Sequence, residues 1–91
     1  MHRLTGKEIA RTIKLLRLID ATKGSLTNDM IAKSLGVSQP TVSALMRKLD
    51  RLRIIDRIKR GQVLKGSNHQ KYINKWLGIA ISEIPMRHIG H

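Results

Sequence analysis

The segment from Thr27 to Leu52 leaves fewer folds open than any other part of this sequence. Ala32 is followed four residues later by Gly36 and six residues after that by Val42, with Ile31, Leu35, Val37 and Leu45 around them. Two short helices crossing at roughly 90–120° need this pattern. A small residue at 32 lets the next helix pass close above it, and Gly36 permits a tight turn, with positive φ if the turn needs it. Val37, Val42 and Leu45 then lock the second helix onto the first. Thr27 reads as the N-cap of the first helix, with Asp29 favouring the positive end of its dipole. Ser38 caps the second, expected over about Gln39–Arg51. Pro40 is tolerated there because first-turn amides have no intrahelical partner. Val42, Leu45, Met46, Leu49 and Leu52 give that helix one apolar face.

The flanks extend the pattern. Upstream, Thr5-Gly6-Lys7-Glu8 reads as a capping box before a helix over about Lys7–Ala21, with Gly24 as its stop. Its apolar stripe, Ile9, Ile13, Leu16 and Ile19 widened by Leu15 and Leu18, is broader than one small core requires. Downstream, residues 54–59 read as a strand, Arg60-Gly61 as a turn and Gln62-Val63-Leu64-Lys65 as a returning strand. Ser67-Asn68-His69-Gln70 fits a second capping box, and Pro85 closes the segment that follows. Tyr72, Ile73, Trp76, Leu77, Ala80, Ile81 and Ile84 repeat there at helical spacing. A strand is the rival, since Ile73, Leu77, Ile79 and Ile81 alternate, but Lys75 interrupts it. The fold expected is mainly α with a small β-hairpin, in the order helix, helix, helix, hairpin, helix.

Charge narrows the partner. The 91 residues hold 18 Lys and Arg against 6 Asp and Glu, a net charge of +12. Residues 53–75 alone carry seven bases (Arg53, Arg57, Lys59, Arg60, Lys65, Lys71, Lys75) and one acid, Asp56. Self-repulsion on that scale costs stability, which points to a surface that meets a polyanion. Aromatic residues are 2% and Phe is absent, so stacking platforms for single strands cannot be built. With no cysteine, disulfides and thiolate metal sites are excluded. The acids are scattered, His88 and His91 lack further ligands, and no phosphate-cradling glycine loop occurs. His88-Ile89-Gly90-His91 spells a tetrapeptide of class I aminoacyl-tRNA synthetases, but without their nucleotide-binding context it reads as coincidence. No enzyme, metal or cofactor is expected. No run approaches a membrane span and the opening residues lack a signal-peptide core, so the expected place is the cytoplasm, associated with the nucleoid.

Residues 26–52, and Ser38-Gln-Pro-Thr-Val-Ser43 in particular, resemble the helix-turn-helix of winged-helix DNA-binding proteins, most nearly the MarR-type and Lrp-type regulators. Leu49–Ile55 followed by Arg57, Lys59 and Arg60 resembles their helix-to-wing junction. The resemblance covers about residues 5–65. It implies a winged helix-turn-helix domain at 1–66 that binds double-stranded DNA. Residues 67–91 then form a C-terminal helix and tail of the same domain. A small transcriptional regulator is the expectation, a repressor acting by promoter occupancy. The alternative is a replication or partition factor of a plasmid or virus, to which the segment from Val63 to Ser67 bears a faint likeness.

Residue roles follow from the groove. An α-helix fits the major groove, its N-terminal turn meeting base edges. Gln39, Pro40, Ser43, Ala44 and Arg47 lie away from the apolar face. Gln39 suits adenine, Pro40 and Ala44 suit thymine methyls, Ser43 is adaptable, and Arg47 suits guanine or phosphate. Thr27, Ser38 and Thr41 are expected to face phosphates. Arg57, Lys59, Arg60 and Lys65 form the wing, and Lys48, Arg51 and Arg53 extend its track along the backbone. For Arg47 the competing reading is an ion pair with Asp50 or Asp29. Residues 76–86 hold one charge in eleven, and so apolar a helix does not stay exposed. Tyr72, Ile73, Trp76, Leu77, Ala80, Ile81 and Ile84 therefore form either core or a homodimer interface, and the interface is the expectation. Two recognition helices would then lie about 34 Å apart on a pseudo-palindromic site.

Overall fold

A computed structural model of the chain describes residues 4–82. Its elements are α1 (Gly6–Thr22), α2 (Asn28–Leu35), α3 (Gln39–Arg51), β1 (Ile55–Lys59), β2 (Gln62–Lys65) and α4 (His69–Ser82). The order is the one the sequence implies, and the ambiguous last segment is a helix.

The helix starts follow their capping residues. Thr5 and Glu8 form a complete capping box, the Glu8 amide donating to Thr5 Oγ1 at 3.2 Å and the Thr5 amide to Glu8 Oε1 at 2.9 Å. Thr27 accepts from the Met30 amide and Ser38 from the Thr41 amide. α4 departs from expectation. It begins at His69, so Asn68 and not Ser67 precedes it, and the Tyr72 amide bonds the Asn68 carbonyl. Gln70 reaches forward to Asn74 rather than back into a capping box. The reason is tertiary: Asn68 donates its side-chain amide to the Leu52 carbonyl and its backbone amide to that of Arg53.

The helix ends are less regular than their glycines suggest. Gly36 ends α2 in the left-handed region with φ 69°. α1 turns at Lys23 (φ 54°), one residue before the glycine expected to stop it, and the chain leaves α3 through Arg53 (φ 61°). After Arg53 the Ile54 amide reaches back to Leu49 and the Arg53 amide to Asp50. This satisfies the last carbonyls as a Schellman ending does, with arginine where glycine is usual.

β1 and β2 form an antiparallel hairpin pairing Ile55 with Lys65, Asp56 with Leu64, Arg57 with Val63 and Lys59 with Gln62. The register shift between Arg57 and Lys59 leaves Ile58 without a partner, 52% exposed in the wing. The loop between α1 and α2 joins the sheet, which the sequence did not suggest. Ser25 bridges Gln62, the Leu26 amide donates to the Gly61 carbonyl and the Val63 amide to that of Gly24. These bonds dock the wing beside the start of α2.

The core gathers Leu15, Leu16 and Ile19 of α1, Ile31 and Ala32 of α2, and Val42, Leu45, Met46 and Leu49 of α3. Leu26, Ile54, Ile55 and Val63 close it from the sheet side. Buried Thr12 spends its hydroxyl on the Glu8 carbonyl at 2.7 Å, so it adds no unsatisfied polar group. Tyr72, Ile73 and Trp76 of α4 pack partly against this core.

Candidate nucleic-acid interface

With Val42, Leu45, Met46 and Leu49 facing inward, the 3.6-residue repeat turns Pro40, Ala44, Arg47 and Arg51 outward as one row. All four are exposed. Gln39, also exposed, and half-buried Ser43 flank this row on the side of α2, where Asn28 and Asp29 meet them. Thr41 and Lys48 flank it on the other side, half-buried. Asp29 pairs with Lys33 at 3.2 Å, and no ion pair engages Arg47 among the described residues. The competing role for Arg47 is therefore not taken up.

The wing meets the Gln39 end of α3. A cleft of about 520 Å³ is lined by Thr27, Asn28 and Asp29, by Gln39, and by Arg57, Lys59, Arg60 and Gly61 of the wing. The start of α2 and the wing, far apart in the chain, thus share one concavity, held by the Ser25–Gln62 bridge. Arg47, Asp50, Arg51 and Arg53 line a shallower depression at the far end of α3. Arg57, Lys59 and Arg60 enter no ion pair among the described residues, so their charge is available to a polyanion.

Two of the cations expected to face phosphate are engaged elsewhere. Lys48 Nζ lies 2.8 Å from Glu8 Oε2, and Lys65 Nζ lies 2.8 Å from Asp20 Oδ1. The Lys48 ammonium, donating to the carboxylate, and the Thr5 amide hold the Glu8 pKa below its ordinary value. Glu8 thereby ties the start of α1 to the last turn of α3, a link that separation by 40 residues hides in the sequence. Ser38 shares a hydrogen bond with Thr41 at 2.9 Å besides capping α3.

Of the residues expected to pair two copies, Tyr72 and Trp76 are in tilted contact at 5.9 Å and Leu77 is 55% exposed. The side chains of Ala80 and Ile81, and the whole of Ile84, lie outside the described residues, as do His88 and His91. No group of three metal-binding side chains occurs among the described residues. No helix among them is long and apolar enough to cross a membrane.

The sequence profile of the IclR helix-turn-helix domain matches residues 8–58. That span holds most of α1, all of α2 and α3, and most of β1. Comparison with curated proteins gave no match. Among solved structures, the chain is similar to a mutant of MepR from a multidrug resistant S. aureus clinical isolate. The TM-score is 0.64 and the identity 24%, over 96% of this chain and 71% of that one. At that identity the likeness is one of fold, the winged helix, with four helices and a two-stranded wing.

Proposed function

Because the chain belongs to the IclR helix-turn-helix domain family, we propose that it binds double-stranded DNA sequence-specifically, as a small dimeric transcriptional regulator. One observation carries this reading: Gln39 at the exposed start of α3 and the unpaired wing cations Arg57, Lys59 and Arg60 line one cleft. In this reading α3 lies in the major groove. Gln39, Pro40, Ser43, Ala44 and Arg47 face bases, while Arg57, Lys59 and Arg60 follow the backbone or the adjacent minor groove. Thr27, Ser38, Thr41, Arg51 and Arg53 contribute further phosphate contacts. Regulation by occupancy needs nothing beyond this binding, so repression from the cytoplasmic DNA is the mode proposed.

Arg47→Ala tests the reading. It should cost about 1–3 kcal/mol on sequences selected from a random duplex pool and much less on random DNA, measured by fluorescence anisotropy. Expression of a reporter repressed through a selected site should rise correspondingly. Equal losses on both kinds of DNA would reassign Arg47 to the phosphates.

The proposed dimer places residues 1–66 as the DNA-binding part and 67–91 as the pairing element of the same domain. Its support is an open groove of about 540 Å³ between α1 and α4, apolar along Ile13, Leu16, Ile73, Trp76 and Leu77 and polar along its other edge, where Asp20 and Lys65 stand. Leu77→Lys should convert dimer to monomer in light scattering. Since Leu77 is exposed and not part of the core, the variant should keep its helical circular dichroism. An unchanged mass would sink the assignment of this face.

A further inference from the structure

Gln39 is exposed at the start of α3, yet its side chain is not free. Nε2 donates to Asp29 Oδ1 at 3.2 Å, linking the first turn of α3 to the first turn of α2. The other carboxylate oxygen, Oδ2, is 3.2 Å from Lys33 Nζ. An ionised carboxylate only accepts, so the chemistry leaves one orientation for the Gln39 amide: nitrogen toward Asp29. Oε1 and the second Nε2 hydrogen then remain without a protein partner among the described residues. Asn28 makes a longer parallel contact, its Nδ2 donating to Ser43 Oγ at 3.4 Å. The first turn of α2 thus touches the polar flank of α3 at two places.

We infer that Asp29 is a specificity-determining positioning residue: it holds the Gln39 amide in the one orientation that reads adenine and rejects guanine. The inference rests on the reading of Gln39 as a base contact. Adenine offers an N6 donor and an N7 acceptor on its major-groove edge, which match Oε1 and the remaining N–H in a bidentate pair. Guanine offers two acceptors, O6 and N7, so Oε1 held in place meets O6 without a hydrogen. A Gln39 amide free to rotate would lose that rejection, because its NH2 could turn to either acceptor. An acid near phosphate carries a cost in general affinity, and Lys33 offsets part of it. The orientation and the charge thus predict opposite signs. Loss of Asp29 should blur one base position while leaving general DNA affinity equal or higher.

The experiment selects bound sequences from a randomised duplex pool with the full chain as wild type, Gln39→Ala, Asp29→Ala and the double variant. Wild type should favour adenine over guanine by about tenfold at one position of the bound site, and Gln39→Ala should erase that preference. Asp29→Ala should reduce it to about twofold at that position alone, with anisotropy on random DNA as tight as wild type or tighter. The double variant should match Gln39→Ala. If Asp29→Ala keeps the preference that Gln39→Ala loses, Asp29 does not position the amide and the inference fails while the reading of Gln39 stands. If Gln39→Ala itself retains every preference, Gln39 reads no base and both fail. Circular dichroism of Asp29→Ala should match wild type, since the residue lies outside the core.

Discussion

Gly66→Ala should destabilise the chain by about 3 kcal/mol or more, the sum of an overpacked contact and a strained buried hydrogen bond. Gly66 is buried where the β2–α4 connection crosses the end of α3. A Cβ at this position would fall inside the contact distance of the Arg53 carbonyl oxygen, 2.7 Å from the Arg53 carbonyl carbon and 3.0 Å from that of Ile54. All three atoms are backbone, so no side-chain rotation relieves the clash. Moving the loop away would stretch the 2.8 Å bond from the Gly66 amide to the Ile54 carbonyl and the 2.8 Å bond from the Asn68 amide to that of Arg53. For a chain of this size the total stability is on the order of 5–14 kcal/mol, so the loss is a large fraction. A drop in melting temperature of at least about 12 °C is expected in far-ultraviolet circular dichroism. Gly78→Ala supplies the contrast. It meets nothing within 4 Å in the middle of α4, and should stabilise that helix by about 0.5–1 kcal/mol. A Gly66→Ala melting point within a few degrees of wild type would mean that the crossing yields without cost.

The contrast between these glycines marks what local sequence carries. Thr5, Thr27 and Ser38 are legible as helix starts because a side-chain acceptor at that place is what an orphan amide requires. Gly36 is legible for the matching reason at a helix end, and the inward row from Val42 to Leu49 because burial imposes the 3.6 period. Lys23 and Arg53 are not legible. Each adopts the left-handed conformation that glycine normally supplies, at an intrinsic cost of roughly 1–2 kcal/mol, and only the packing on either side forces it. Ser67 and Asn68 are both plausible caps, and the choice falls to Asn68 through its bonds to Leu52 and Arg53, distant in sequence. The interface divides the same way. That Arg47 is exposed follows from periodicity, whereas the partners of Gln39 and Lys48 depend on how helices meet. Net charge, likewise, does not distinguish Lys65, held by Asp20, from Lys59, held by no acid among the described residues.

That distinction among the cations sets the largest effect expected on DNA binding. Replacing Arg57, Lys59 and Arg60 together by Gln should weaken binding to selected and random duplexes alike. Contacts to phosphate displace condensed counterions, and each contributes about 0.9 to the slope of log affinity against log salt. Three lost contacts lower the slope by about 2.7, so the wild-type advantage must shrink by about 40-fold between 50 and 200 mM salt. The advantage at 50 mM is then itself at least about 40-fold, if the variant never overtakes wild type. Base preferences in selected sequences should persist, because backbone contacts orient the protein without reading it. Lys48→Gln with Lys65→Gln removes two charges from the same +12 chain, but charges already matched by Glu8 and Asp20. Its salt slope should stay near that of wild type. If the two sets of substitutions lowered the slope in proportion to the charge removed, general basicity would account for binding. A steep loss confined to the wing set instead requires phosphates to lie where Arg57, Lys59 and Arg60 stand, beside Gln39 at the mouth of the same cleft.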